Sequence, residues 1–272
     1  MKKPLLPWLA ALALFTGAAP AIAAGCAAQD FEHLVSAGDE CLVMARFGAT
    51  EAPRTLVVWL HGDDSSGGPA VYHYAAAKEA AARFADEGVL SVALIRPGYE
   101  DDEGRRSSGT NNGRRDHYTR ANMQAVGAAI AQLKAHFQPQ RVVVVGHSGG
   151  AATAANLLGM MPGLSDAGLL VSCPCDLVTW RAGRKAWKQS EDPLRWTDPI
   201  KPPVQVVALT GGSDDNTSPE LARRYVEVLQ AHGVNARFEL VPGASHNAAF
   251  RSPMVTDALA RLLQAGSGQP QH

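Results

Sequence analysis

Arg141-Val142-Val143-Val144-Val145 is an uninterrupted β-branched run, and no other segment narrows the choice of fold as much. A strand with one wet face alternates apolar and polar residues. Four successive valines ask for apolar neighbours on both faces, the condition of a central strand in a parallel sheet covered by helices on each side. Similar short runs recur at Thr55–Leu60, Ser91–Ile95, Leu169–Ser172, Val204–Leu209 and Phe238–Val241. Between them lie stretches with helix chemistry. Tyr72–Asp86 is alanine-rich and closed by Gly88, and Tyr118–Phe137 stops before Pro139. Gly150–Met160, Pro219–His232 with Gly233 past its end, and Met254–Leu263 complete the series. Strands and helices that take turns predict one α/β domain with a mostly parallel central sheet.

The 272 residues suffice for one such domain, and no internal repeat or linker divides them. A hydrophobic fraction of 46% with 19% charged residues is that of a globular protein rather than a disordered one. The formal net charge of −1 leaves no basic surplus for a phosphate backbone, so nucleic acid is not expected as a partner.

Residues 1–24 read as a signal peptide: Lys2 and Lys3, an apolar stretch from Leu5 to Phe15, then Ala21-Ile22-Ala23. An uncleaved anchor is the alternative, against which Pro7, Gly17 and Pro20 interrupt the apolar run. Lipidation of Cys26 is a second alternative. It is weakened by Ala23, where such signals carry a larger aliphatic residue. The expected product is a secreted or periplasmic domain over 25–265 with a disordered polar tail at 266–272 and no stable membrane insertion. In an oxidising compartment the four cysteines are expected to form structural disulfides. Cys26 with Cys41 would pin the N-terminus to the first strand, and Cys173 with Cys175 would close a tight ring around Pro174. A redox or metal pair is the other reading, but no histidines stand near enough in sequence to complete a zinc site.

Two stretches break the alternation, Arg96–Arg115 and Cys173–Pro203. Both follow the carboxyl ends of strands, where open α/β sheets hold their sites, and loops of that length are commonly functional.

Directly after the valine run comes Gly146-His147-Ser148-Gly149-Gly150, followed by a helical segment. This matches the G-x-S-x-G nucleophile elbow in its proper strand–turn–helix setting. Its glycines have a steric cause, since a sharp turn between strand and helix leaves no space for side chains beside the serine. On these residues the chain resembles the α/β-hydrolase superfamily, which implies a Ser-acid-His triad in that chain order. After Val204–Leu209 stands Thr210-Gly211-Gly212-Ser213-Asp214-Asp215-Asn216, and after Phe238–Val241 stands Pro242-Gly243-Ala244-Ser245-His246. The resemblance therefore implies Ser148 as nucleophile and His246 as general base. The Gly-x-x-Asp-Asp-Asn pattern is similar to prolyl oligopeptidase-like enzymes and selects Asp214 as the acid, whereas aligning Gly212 and Pro219 would select Asp215.

The oxyanion donors implied are the backbone N–H groups of Gly149 and of Asp63, in His61-Gly62-Asp63-Asp64. His61, His117 and His147 are expected to shape loops rather than react. Tyr99 and Trp180, with Tyr118 and Arg181, are candidates for the substrate pocket. The arginine pairs could bind an anionic substrate or simply be solvated loop charge.

The expected activity is hydrolysis of a small ester, or alternatively of a short peptide, with no cofactor and no metal. The chain is too short to include the large propeller of prolyl oligopeptidase-like enzymes, which favours the ester. The resemblance to dienelactone-hydrolase-like proteins is looser, since their nucleophile is usually cysteine. An acyltransferase would use the same triad. A binding protein on this scaffold would generally have lost a triad member, and a thiol oxidoreductase would need an accessible Cys175 thiolate.

Overall fold

The computed structural model describes residues 25–64 and 67–264; the expected signal segment and polar tail lie outside the described residues. The strands are β1 (Leu34–Ala37), β2 (Glu40–Gly48), β3 (Thr55–Leu60), β4 (Val89–Leu94), β5 (Arg141–His147), β6 (Ala167–Val171), β7 (Gln205–Gly211) and β8 (Asn235–Val241). They form a sheet in the order β1-β2-β4-β3-β5-β6-β7-β8. β1 and β2 pair antiparallel with their neighbours, and every pairing from β4 through β8 is parallel.

The two-faced burial expected of the valine run is present residue by residue. Val142 and Val144 enter one core cluster together with Leu56, Val58 and Leu60 of β3, while Val143, Val145, Val57 and Trp59 enter the other. The first cluster is covered by α2 (Arg120–Phe137), α3 (Gly149–Met160) and α5 (Pro219–Ala231). The second is covered by α1 (Tyr72–Arg83) and α7 (Pro253–Gln264). Two short helices, α4 (Leu177–Trp180) and α6 (His246–Phe250), lie among the loops.

Local chemistry sets the helix ends. Thr119 caps α2, its side chain accepting from the Asn122 N–H, so Tyr118 falls just outside the helix expected to begin there. Past α1 a short turn of tighter helix, Ala85–Glu87, ends at Gly88 in the left-handed region. The hairpin β1–β2 is the main element beyond the sequence reading, which expects only a first strand near Cys41. Its edge position mixes Ser36, Glu40 and Arg46 with apolar residues and blurs the period-two signal.

Because β3, β5, β7 and β8 run parallel, their carboxyl ends share one edge of the sheet. The segments Gly62–Asp63, Ser148, Asp214 and His246 follow those four ends.

Candidate active site

Ser148 sits between β5 and α3 with φ 53° and ψ −119°, a backbone conformation that costs about 1–3 kcal/mol for a residue with a side chain. Surrounding bonds hold it there: its N–H donates to the Val171 carbonyl at 2.8 Å, and its own carbonyl accepts from Ala152 at 3.0 Å. A side chain on Gly146 would collide with the backbone of Gly150, and one on Gly150 with the Leu60 carbonyl. The elbow glycines are thus needed for close approach of strand, helix and neighbouring strand.

His246 opens α6, and its Nδ1 lies 2.9 Å from Oδ2 and 3.1 Å from Oδ1 of Asp214. The Asp214 side chain is fully buried. Burial works against its charge, but bonds from His246 and from the Thr217 N–H outweigh this and hold the carboxyl at about 2. An ionised Asp214 fixes the Nδ1–H tautomer, leaving Nε2 as the basic nitrogen. Asp215 is exposed, and among the described residues it makes no bond to His246. Thr217 was not anticipated: its hydroxyl lies 2.9 Å from Asp214 Oδ2 and 3.1 Å from the Ser172 carbonyl.

Ser148 and His246 line the same cleft. No hydrogen bond between them is formed among the described residues. Such bonds are often long before substrate binds.

The Gly149 N–H finds no acceptor among the described residues, and neither does that of Asp63. The Gly62 N–H is already taken by the Tyr72 hydroxyl at 2.5 Å. Burial pulls the His147 imidazole down to about 3, so it is neutral at ordinary pH. Its Nε2–H then donates to the His246 carbonyl at 3.2 Å, and its Nδ1 accepts from the Tyr72 hydroxyl at 2.7 Å. One neutral histidine therefore ties the backbone of His246 to the loop after β3, which is the shaping role expected of it.

The Asp63 side chain does more than the sequence suggests. It accepts from Arg96 at 2.7 Å and from the Tyr118 hydroxyl, with His117 Nε2 at 3.2 Å. Burial opposes its charge, and the Arg96 guanidinium beside it holds the carboxyl well below the usual range. This carboxylate packs against Gly149, where any side chain would strike its Oδ1. The negative charge against Gly149 is therefore offset by Arg96 rather than left bare.

The cleft measures about 830 Å³, and Trp180, Arg181 and Trp187 line one side. Trp180 donates from Nε1 to the Asn216 carbonyl at 2.9 Å, which anchors the indole. Tyr99 does not belong to it, contrary to expectation. Its ring is 1% exposed, packed with Val43, Ala70 and Ile95, and covered by the guanidinium groups of Arg96 and Arg114. Tyr118 is likewise buried, with its hydroxyl spent on Asp63. Both follow β4 by a long loop that folds back over the sheet, so their aromatic faces meet the core and not the cleft. Trp187 and Tyr72 also line the cleft. Neither stands among the pocket candidates of the sequence, because Trp187 lies in an irregular loop and Tyr72 at the start of a helix, and only the fold brings them to Ser148.

The cysteines pair Cys26–Cys41 and Cys173–Cys175. The second pair is buried beside Ser172, whose hydroxyl donates to the His246 carbonyl at 3.3 Å. Among the described residues no group of three His, Cys, Asp or Glu side chains could hold a metal ion.

Residues 81–264 match the model of the prolyl oligopeptidase family. No curated protein matches by sequence. Among solved structures, the chain is similar to Est1E from Butyrivibrio proteoclasticus with bound ferulic acid, at TM-score 0.66 and 16% identity, covering 86% of this chain and 98% of that one. It is similar to a Pyrococcus furiosus esterase at TM-score 0.65 and 18% identity, covering 85% and 90%. It is also similar to the acylaminoacyl peptidase of Pyrococcus horikoshii at TM-score 0.64 and 14% identity, covering 85% of this chain and 40% of the other. At these identities the likeness establishes the α/β-hydrolase fold.

Proposed function

This chain belongs to the prolyl oligopeptidase family of serine hydrolases, and from that premise we propose that it hydrolyses carboxylic esters through an acyl-enzyme on Ser148. The observation that carries the reading is the convergence on one cleft of a strained Ser148 and a His246 whose Nδ1 is bonded to buried, ionised Asp214. His246 Nε2 takes the proton of Ser148 Oγ as that oxygen attacks the carbonyl carbon. The oxyanion draws on the N–H groups of Gly149 and Asp63, each donor worth about a hundredfold or more in rate. The imidazolium returns the proton to the departing alcohol. Water, deprotonated by the same imidazole, then releases the acid and restores Ser148.

Likeness to the Pyrococcus furiosus esterase over most of its length supports the ester. Peptide-bond cleavage is the second reading, supported by the family match and by the likeness to the acylaminoacyl peptidase. Export to an oxidising compartment belongs to the proposal too, supported by two cysteine pairs at bonding distance.

A fluorophosphonate probe tests the nucleophile. We expect labelling of Ser148, mapped by mass spectrometry, that is lost in both Ser148→Ala and His246→Ala. A folded protein that stays unlabelled would refute the assignment. Parallel rates on para-nitrophenyl esters and dipeptide anilides separate the two readings.

A further inference from the structure

The chain as a whole holds 25 basic and 26 acidic residues, yet its cleft does not share that balance. Six cationic side chains line it, those of Arg114, Arg115, Arg181, Arg184, Lys185 and Arg251, against the three carboxylates of Asp63, Asp64 and Asp116. All three carboxylates are engaged. Asp63 is paired with Arg96 behind the site, and Asp64 lies 3.9 Å from Arg114. Asp116 accepts backbone N–H bonds from Lys188, Gln189 and Ser190 at 2.8 to 3.1 Å. By contrast, Arg115, Arg184, Lys185 and Arg251 have no carboxylate within 4 Å among the described residues.

This gathering is built by tertiary contacts. Arg114 and Arg115 come from the loop after β4, and Arg181, Arg184 and Lys185 from the loop after β6. Asp116 clamps one loop to the other. The Ser190 hydroxyl accepts from the Tyr118 N–H at 3.1 Å, and the Glu191 N–H donates to the Tyr118 carbonyl at 2.9 Å, extending the seam. Arg181 is laid over both Trp180 and Trp187, its guanidinium 5.2 and 5.3 Å from the ring centroids, and donates twice to the Lys185 carbonyl. The result is a cleft with an indole wall, capped by Arg181, and further cations without a carboxylate partner along the same lining. These cations line one concave site, and a concave site lined by one sign of charge focuses its field toward an anion.

We propose that the cleft selects esters that carry an anionic group, with the scissile carbonyl at Ser148, the apolar body on Trp180 and Trp187, and the anion at the rim of Arg115, Arg184, Lys185 and Arg251. The inference rests on Ser148 being the nucleophile.

Two substrates of matched length test it: the para-nitrophenyl monoester of adipate, which ends in a carboxylate, and para-nitrophenyl hexanoate, which ends in a methyl. Enzyme concentration is normalised by fluorophosphonate titration of Ser148. We expect kcat/KM to favour the adipate ester by about tenfold at low salt, and this preference to shrink as NaCl rises from about 20 to about 300 mM. In Arg184→Glu/Lys185→Glu the ratio of the two constants should fall about tenfold or more below its wild-type value. Equal constants for both esters, unmoved by salt, would overturn the anionic specificity while leaving the nucleophile in place. Labelled Ser148 with neither ester turned over would overturn it as well. Absence of labelling would remove the premise and the inference together.

Discussion

Asp214 and Asp215 are neighbours with opposite fates, and the difference lies in what each side chain can reach. Asp214 turns inward, and its oxygens accept from Thr217 and His246; Asp215 turns to water. An uncharged amide at 214 would present the wrong hydrogen-bond face and release the imidazole into the other tautomer. Asp214→Asn should therefore lower kcat by about 10⁴-fold, and Asp215→Asn should leave it within about twofold. Comparable losses in the two variants would point to a different acid. The same carboxyl ties stability to pH. Its folded value, about 2, lies below the ordinary 3.8, so its contribution is complete above pH ~4 and drains away as pH falls through about 2. Asp214→Asn should accordingly lose less stability than the wild type between pH 5 and pH 3, as read from urea midpoints at each pH. His147 shows the complementary case, a histidine kept neutral so that one nitrogen donates and the other accepts.

Helices and strands form the frame, but irregular segments decide the shape of the cleft. The loop after β4 and the loop after β6 are joined where Asp116 caps three successive N–H groups of 188–190. Removing the carboxylate leaves those donors to water and loosens only the seam. Asp116→Ala should speed amide exchange across residues 187–191 by about tenfold, equivalent to about 1–2 kcal/mol of local stability. Exchange within β5 and α3 should not change. Unaltered exchange at the seam would mean that the Tyr118–Glu191 contacts alone hold it. This element also explains why Tyr99 and Tyr118 lie in the core. The loop after β4 doubles back through the Asp101–Arg105 and Arg106–Glu100 pairs, and its aromatic residues fill the space beneath.

For the whole molecule, the Cys26–Cys41 pair joins the first described residues to β2, closing a loop of 15 residues. The chain-entropy cost of that loop amounts to about 3 kcal/mol. In Cys26→Ser/Cys41→Ser we expect Tm to fall by about 6–12 °C, with ester turnover at 25 °C retained because the pair lies far along the sheet from Ser148. An unchanged Tm would mean that the bond does not form or does not constrain the unfolded chain. Much of this architecture is legible in the chain itself. A run such as Val142–Val145, β-branched throughout, asks for a strand covered on both faces. The elbow glycines stand out as a motif between strand and helix, although only Gly146 answers to a near neighbour, Gly150, while Gly149 and Gly150 make room for Asp63 and Leu60. Serine, acid and histidine each follow a recognisable strand. Those features are marked by periodicity and by motif spacing along the chain, which a linear reading captures. Which of two adjacent aspartates meets His246, where the charge of Asp63 is neutralised, and which aromatics face the cleft were left to the tertiary structure. Each of these depends on contacts between residues 30 or more positions apart, and the packing of two patternless loops, rather than any local signal, brings those residues together.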